Sequence, residues 1–264
     1  PAGSKSYMWV YRTGKYQTDR QVILYDYQKT RKADHPREFL KDFRGVCVTD
    51  GYQVYHTLEG ELENLEISGC WAHSRRRYDE AVKALPKSEQ KMSLAYLALS
   101  QIQQIYHEEG KLQDMTPVER RKHRQKFIKP LVDAYFNWIR INIDKVMPKS
   151  KTYNGMTYSL NQEKYLRRFL DDGEIPIDNN AAEQSIRSFC IGKKNWVMCD
   201  TINGAKSSAI IYSLVETAKA NKLRLYEYFN YLLTEIPEHM DDKNNDFCEK
   251  LLPWSDELPA ECRK

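Results

Sequence analysis

A chain of 264 residues and 31.2 kDa is long enough for one large domain or two modest ones, which excludes a small disulfide-stapled scaffold. A mean hydropathy of −0.74 with 30% charged residues, and no apolar run near the ~20 residues a membrane helix needs, exclude a helical membrane span. Forty-one Lys and Arg against 37 Asp and Glu leave +4, so a nucleic-acid partner would be met by local basic patches and not by a global field. Eighteen Tyr and five Trp imply a real core inside charged surfaces. The cysteines at 47, 70, 190, 199, 248 and 262 have neither disulfide-framework nor paired zinc spacing, and read as reduced thiols of a cytosolic protein.

Residues 7–13, dense in aromatic and β-branched types and ended by Gly14-Lys15, predict a strand and turn. Its hairpin partner spans 21–27, with Val22, Leu24 and Asp26 on one face and Ile23, Tyr25 and Tyr27 on the other. Asp34 as N-cap, Pro36 in the first turn and the stripe Phe39, Leu40, Phe43 predict a short helix. Val46-Cys47-Val48 reads as a strand buried on both faces, ending at Thr49-Asp50-Gly51-Tyr52. A helix over 52–63, a buried strand over 65–71 and a helix from Ser74 follow. This alternation implies a mixed sheet covered by helices. From 75 to 172 the strand signals vanish, and stripes such as Leu94, Leu97, Ala98 and Ile102, broken near Pro86, Pro117, Pro130 and Pro148, predict a helical insertion. The chain returns through Pro176–Asn180 to a long helix, a Gly-Lys-Lys-Asn-Trp turn, a strand-like 196–198 and a helix over 205–221.

Two acidic residues stand out. Asp50 closes a buried strand just before a glycine, where open α/β sheets place their sites; as an Asp it equally fits a cap for the next helix. Glu183 lies three residues after Asn180, as in a capping box, and four before Arg187, as in an ion pair. It also sits on a first helical turn that can face a strand-end carboxylate. Carboxylates of this kind hold Mg²⁺, and separated ones suit two-metal phosphoryl transfer.

Four motifs in order, Thr49-Asp50-Gly51-Tyr52, Cys70-Trp71-Ala72-His73 with Arg75-Arg76-Arg77, Asp178-Asn179-Asn180-Ala181-Ala182-Glu183, and Ile191-Gly192-Lys193-Lys194-Asn195-Trp196, resemble the DDE transposases of the IS66 insertion-sequence family. The closing Leu251-Leu252-Pro253-Trp254 is similar to that family's C-terminal segment. The resemblance implies an RNase H-like α/β core, a mixed sheet flanked by helices, interrupted by a large all-helical insertion. It implies divalent metal, Mg²⁺ or Mn²⁺, for cutting DNA and joining it to a target, with Asp50 as the second catalytic acid and Glu183 as the third. Its partners would be transposon ends, target DNA and further copies of the protein. Core residues would occupy 1–78 and 173–235, the insertion 79–172, and a C-terminal segment 236–264. The family's first catalytic Asp lies on a central strand before the segment matching Pro1, with zinc-binding and helix-turn-helix-like regions further upstream. The chain therefore reads as a fragment, probed against the alternative of an inactive remnant that only binds DNA or intact transposase. Asp19 and Asp26 are the nearby substitutes, and Asp26 reads as a hairpin surface residue.

The basic groups supply a DNA-facing side. Arg75, Arg76 and Arg77 open a helix after a strand end, so at least one points outward to meet phosphate or to pair with Asp79 and Glu80. Lys193, Lys194 and Trp196, read as lying just beyond the Glu183 helix, could hold a DNA end by phosphate contact and stacking; otherwise they form a solvated turn with Trp196 in the core. The cluster Arg120, Arg121, Lys122, Arg124, Lys126 and Lys129 reads as a solvated helix face. Cys70 and His73 have half a zinc spacing with no second pair near, so they read as a core cysteine and a hydrogen-bonded histidine, with His73 retained as a substrate-positioning candidate.

Overall fold

In the computed structural model, residues 5–17, 19–196, 199 and 201–264 are described. The order is β1 (Tyr7–Arg12), β2 (Ile23–Gln28), α1 (Asp34–Leu40), β3 (Gly45–Thr49), α2 (Gln53–Glu61), β4 (Leu65–Gly69) and α3 (Trp71–Lys83). Next come α4 (Lys87–Gln90), α5 (Leu94–Gly110), α6 (Pro117–His123), α7 (Lys129–Asn142), α8 (Lys151–Asn161) and α9 (Glu163–Arg167). The chain ends with α10 (Asn180–Trp196), α11 (Ile202–Ala220), α12 (Leu225–Glu238) and α13 (Cys248–Leu251). Two compact units result: residues 1–31 with 181–264, and residues 32–180. No helix among the described residues is long and apolar enough to cross a membrane.

The first unit holds the antiparallel hairpin, in which Tyr7 pairs with Gln28 and Arg12 with Ile23. The faces fall as expected from the alternation: Ile23 and Tyr25 are buried and Leu24 is exposed. They pack with Ala209, Ile186, Phe189 and Tyr212 from α10 and α11. The outer edge of β2 is closed by side chains one turn apart on α11. Thr217 Oγ1 accepts from Ile23 N–H (3.0 Å) and donates to Ile23 O (2.9 Å), and Ser213 Oγ accepts from Tyr25 N–H (2.8 Å). A helix thus stands in for a neighbouring strand and satisfies backbone groups that would otherwise be left open. A second cluster, around Ala218, Tyr228, Leu232, Leu251 and Cys262, ties α11 to the C-terminal segment.

In the second unit β3 and β4 pair in parallel, Val46 opposite Glu66 and Thr49 opposite Gly69. The strands therefore form two separate two-stranded sheets instead of the single mixed sheet expected from sequence. The outer edge of β4 is met by a carboxylate, Glu59 Oε1 accepting from Ile67 N–H (2.9 Å). β3 is covered on both faces but only half-buried: Val46 and Val48 pack on the large helical core, and Cys47 on the Leu40, Leu58, Leu65, Ile67 cluster.

The segment expected to be helical is a series of helices joined by short turns, with no strand among its described residues, and its core centres on Trp71, Tyr78, Ile102, Ile105, Tyr135 and Phe136. Its α5 stripe is rotated from the expected one. Ala95, Ala98, Leu99, Ile102 and Ile105 are buried while Leu97 is 44% exposed, because the i, i+3, i+4, i+7 repeat runs through the alanines. Phe39 and Phe43 are likewise exposed, and α1 buries Pro36 and Leu40 instead, with Leu40 in a core cluster. Of the short strand expected over 196–198, residue 196 instead ends α10, and residues 197 and 198 lie outside the described residues.

Candidate functional site

Asp50 follows the last residue of β3, as expected, and is half-buried. Its Oδ1 accepts from the Tyr52 N–H (3.0 Å), so the carboxylate is oriented by its own turn. Gly51 makes that turn with φ +81°, a conformation L-residues rarely adopt. A Cβ there would lie 2.9 Å from Tyr158 Oη and 3.3 Å from Gln162 Oε1. Tyr158 Oη donates to the Asp50 carbonyl (3.3 Å), and the Arg77 guanidinium lies 4.1 Å above the Tyr158 ring. Burial pushes the Tyr158 hydroxyl up to about 12, with Arg77 opposing, so it remains a proton donor at neutral pH.

The helix after Asp50 brings a residue that sequence reasoning missed. His56 stacks flat on Tyr165, ring centroids 4.0 Å apart and planes 2° apart. Burial lowers its pKa, the Glu59 and Asp50 charges oppose this, and Lys164 adds to it. Its only sequence signal was its place one turn into the helix after Asp50.

At the end of β4, Cys70 is a core cysteine. It is 1% exposed, its sulfur accepts from the Asn179 N–H (3.4 Å), and burial pushes its thiol up to about 11. The neighbouring Trp71 N–H donates to Ile177 O (3.1 Å). His73 is half-buried on the first turn of α3, where its N–H donates to Cys70 O (3.2 Å). Asp178 ends this stretch: its Oδ2 accepts from Tyr106 Oη (3.0 Å) and its Oδ1 from the Asn180 N–H (3.1 Å). The start of α10 is therefore held from Asp178, and Asn180 is its first helical residue instead of the capping residue expected before it.

Arg75, Arg76 and Arg77 are all exposed on α3, with Arg77 committed to Tyr158. Arg120 and Arg124 behave differently from the solvated face expected for their cluster. Arg124 is fully buried, donating to Phe169 O (2.7 Å), Asp172 O (2.8 Å) and Ile175 O (2.9 Å). Arg120, 3% exposed, donates to Gly173 O (2.5 Å) and Met115 O (2.7 Å). One helical stripe of charge can split this way because i and i+4 face the core together.

Glu183 belongs to the other unit and is half-buried on the first turn of α10. The hairpin fixes the backbone on either side of it. Arg12 Nη1 donates to Ala181 O (3.0 Å) and Tyr25 Oη to Ser185 O (2.5 Å), and Gln21 Oε1 accepts from Arg12 Nη2 (2.8 Å). Lys193 and Lys194 are exposed on the last turn of this same helix and not on a turn beyond it. A single Gly192 costs a helix only about 1 kcal/mol, and lysines suit its C-terminal dipole. Glu183, Arg187, Cys190 and Lys194 recur at i, i+4, i+7 and i+11, one face about 16 Å long. Trp196 ends α10, and its side chain is outside the described residues.

No solved structure matches the chain. The uncharacterized protein y4qI of Sinorhizobium fredii is 27% identical over 262 residues, which cover 96% of this chain and 47% of its own length. A second from that organism, y4jD, is 27% identical over 239 residues, 89% of this chain and 45% of its own. The chain thus spans about half the length of the curated relatives it matches. The model of the transposase IS66 family matches residues 1–207, and that of the IS66 C-terminal element matches residues 213–254. The motifs and these matches agree, and the chain belongs to the IS66 transposase family.

Proposed function

We propose that this chain is the catalytic portion of a DDE-type transposase with an RNase H-like core, acting on insertion-sequence DNA by metal-dependent cleavage and strand transfer. The observation that carries the reading is Asp50 at the carboxyl end of a parallel strand, its carboxylate oriented by the Tyr52 amide. Asp50 and Glu183 would each contribute hard carboxylate oxygens, the donor chemistry that Mg²⁺ or Mn²⁺ takes. Such an ion, when bound, supplies Lewis-acid activation for phosphodiester chemistry. The chain's own part is to orient: the Gly51 turn aims Asp50, the Arg12 and Tyr25 bonds hold the backbone flanking Glu183, and exposed Arg75, Arg76, Lys193 and Lys194 take up phosphates. His73 and Trp196 stay in this reading as DNA-positioning residues. The parts of the core are residues 1–78 and 173–235, interrupted by 79–172 and followed by 236–264, and the active assembly contains several copies.

Strand transfer by a protein that joins this chain to the family's upstream regions tests the reading. Asp50→Ala and Glu183→Ala should each abolish joined product, and full joining by either variant overturns it.

A second reading is that this chain by itself only binds DNA or intact transposase. It is supported by the strand edges: α11 closes β2 and Glu59 meets β4, whereas β1 and β3 have no strand beyond them among the described residues. Turnover by the purified chain in Mg²⁺ would exclude it.

A further inference from the structure

The helical segment that interrupts the strand-bearing parts of the chain touches the Asp50 turn directly, and it does so through one side of α8. We propose that Tyr158 is a positioning residue for Asp50, so that the helical insertion sets the geometry of the candidate metal-holding carboxylate. The inference rests on the reading of Asp50 as a metal ligand.

The contact has two parts. Tyr158 Oη donates to the Asp50 carbonyl, and the Gly51 turn lies so close to Tyr158 and Gln162 that a single added methyl would meet the tyrosine oxygen at 2.9 Å. The carboxylate is fixed to the same turn, because Oδ1 is held by the Tyr52 amide two residues on. A shift of the turn is therefore a shift of the carboxylate.

The other end of the chain of contacts is rigid. Ser159, fully buried, is within hydrogen-bond distance of Ser74 Oγ and Tyr135 Oη (2.8 Å each), and donates to Gly155 O (3.0 Å). A Cβ on Gly155 would meet the Tyr78 ring at 3.0 Å, so α8 lies tight against α3. Arg77, also on α3, covers the Tyr158 ring. Tyr158 is thus braced on one side by its own helix and on the other by a cation. Geometry fixed by packed helices is what a ligand carboxylate needs, since metal affinity depends on the groups that orient its ligands.

The test uses the purified chain, with Tyr158→Phe, Gly51→Ala and Asp50→Ala, and two measurements. The first is amide hydrogen exchange at Gly51 and Tyr52 without metal, which does not depend on what Asp50 binds. The second is Mn²⁺ affinity by paramagnetic resonance titration. Tyr158→Phe keeps the ring and removes one hydrogen bond, so exchange at Tyr52 should quicken and the Mn²⁺ dissociation constant should rise roughly three- to tenfold. Exchange in the α8 core should stay at the wild-type rate, which a general loss of structure would not allow. Gly51→Ala, which strains the turn directly, should move both readouts the same way while leaving the tyrosine in place, and so tests the tie between turn and carboxylate even if Tyr158→Phe does not fold. Wild-type exchange at Tyr52 in Tyr158→Phe overturns the positioning role, whatever Gly51→Ala does. Faster exchange with unchanged Mn²⁺ affinity, where Asp50→Ala does weaken it, overturns the link to the metal. Mn²⁺ binding that survives Asp50→Ala overturns the ligand reading alone, and the exchange result then still decides whether Tyr158 holds the turn.

Discussion

Arg124 and Glu109 form an ion pair inside the helical insertion, the arginine fully buried and the glutamate 6% exposed. Both guanidinium Nε and Nη2 donate to the carboxylate, while Nη1 gathers three carbonyls of the 169–175 segment. Arg124→Ala should destabilise the chain by about 3–5 kcal/mol, because it strands a buried carboxylate and three carbonyls. Glu109→Gln/Arg124→Met should cost less than Arg124→Ala, since no uncompensated charge remains. Urea unfolding of the three proteins checks the order.

Burial of this kind also separates structural cations from the exposed ones proposed to meet DNA. Arg75→Gln and Lys194→Gln should leave the urea midpoint unchanged and each lower the slope of log K against log salt for duplex DNA by about 0.9. Arg120→Gln, aimed at interior carbonyls, should move the midpoint instead. A wild-type salt slope in both exposed variants would remove these residues from the interface.

Thr217 closes both the N–H and the C=O of Ile23. Thr217→Val keeps the shape and leaves both backbone groups buried without a partner, at a cost of about 2 kcal/mol. Thr217→Ser should retain most of the stability. Denaturation of the two variants, with hydrogen exchange at Ile23, reports it.

How far the sequence revealed this molecule follows from the range of each interaction. The hairpin, the β3 and β4 strands and the start of the helical region were legible because two-residue and 3.6-residue periods are local. The place of Asp50 at a strand end was legible because an apolar run, an acid and a glycine are adjacent in the chain. Contacts made at long range were not: Tyr158 reaches the Asp50 carbonyl from 108 residues away, and Ser213 and Thr217 close β2 from 188 and 194 residues away. The split of the basic cluster was hidden for a related reason. Arg120 and Arg124 look like Arg121 and Lys122 in composition, and only the carbonyls of residues 169–175, placed by tertiary packing, tell them apart. The helix through Lys193 and Lys194 was misread as a turn because Gly192 is a weaker helix breaker than its neighbourhood suggested.

His56 gives the fold a pH dependence of definite sign. Burial lowers its pKa from the ordinary 6.5, the Glu59 and Asp50 charges oppose that, and Lys164 adds to it. With the folded pKa below the unfolded one, the unfolded chain takes up the proton first as pH falls. The contribution of His56 is therefore complete above about pH 6.5 and is lost as the pH drops from there through the folded pKa. Glu59 acts lower down. Burial pushes its carboxyl up, but the Lys164 bond, the Ile67 N–H and the Arg168 charge outweigh this and hold it below the usual 4.5, so its contribution is present above about pH 4.5 and fails beneath it. Urea midpoints from pH 8 to pH 4 should fall in two stages. His56→Phe, which keeps a ring to stack on Tyr165, should flatten the upper stage and leave the lower one. Glu59→Gln should lower stability at pH 7 and flatten the lower stage. An upper stage that persists in His56→Phe would assign that titration to another group.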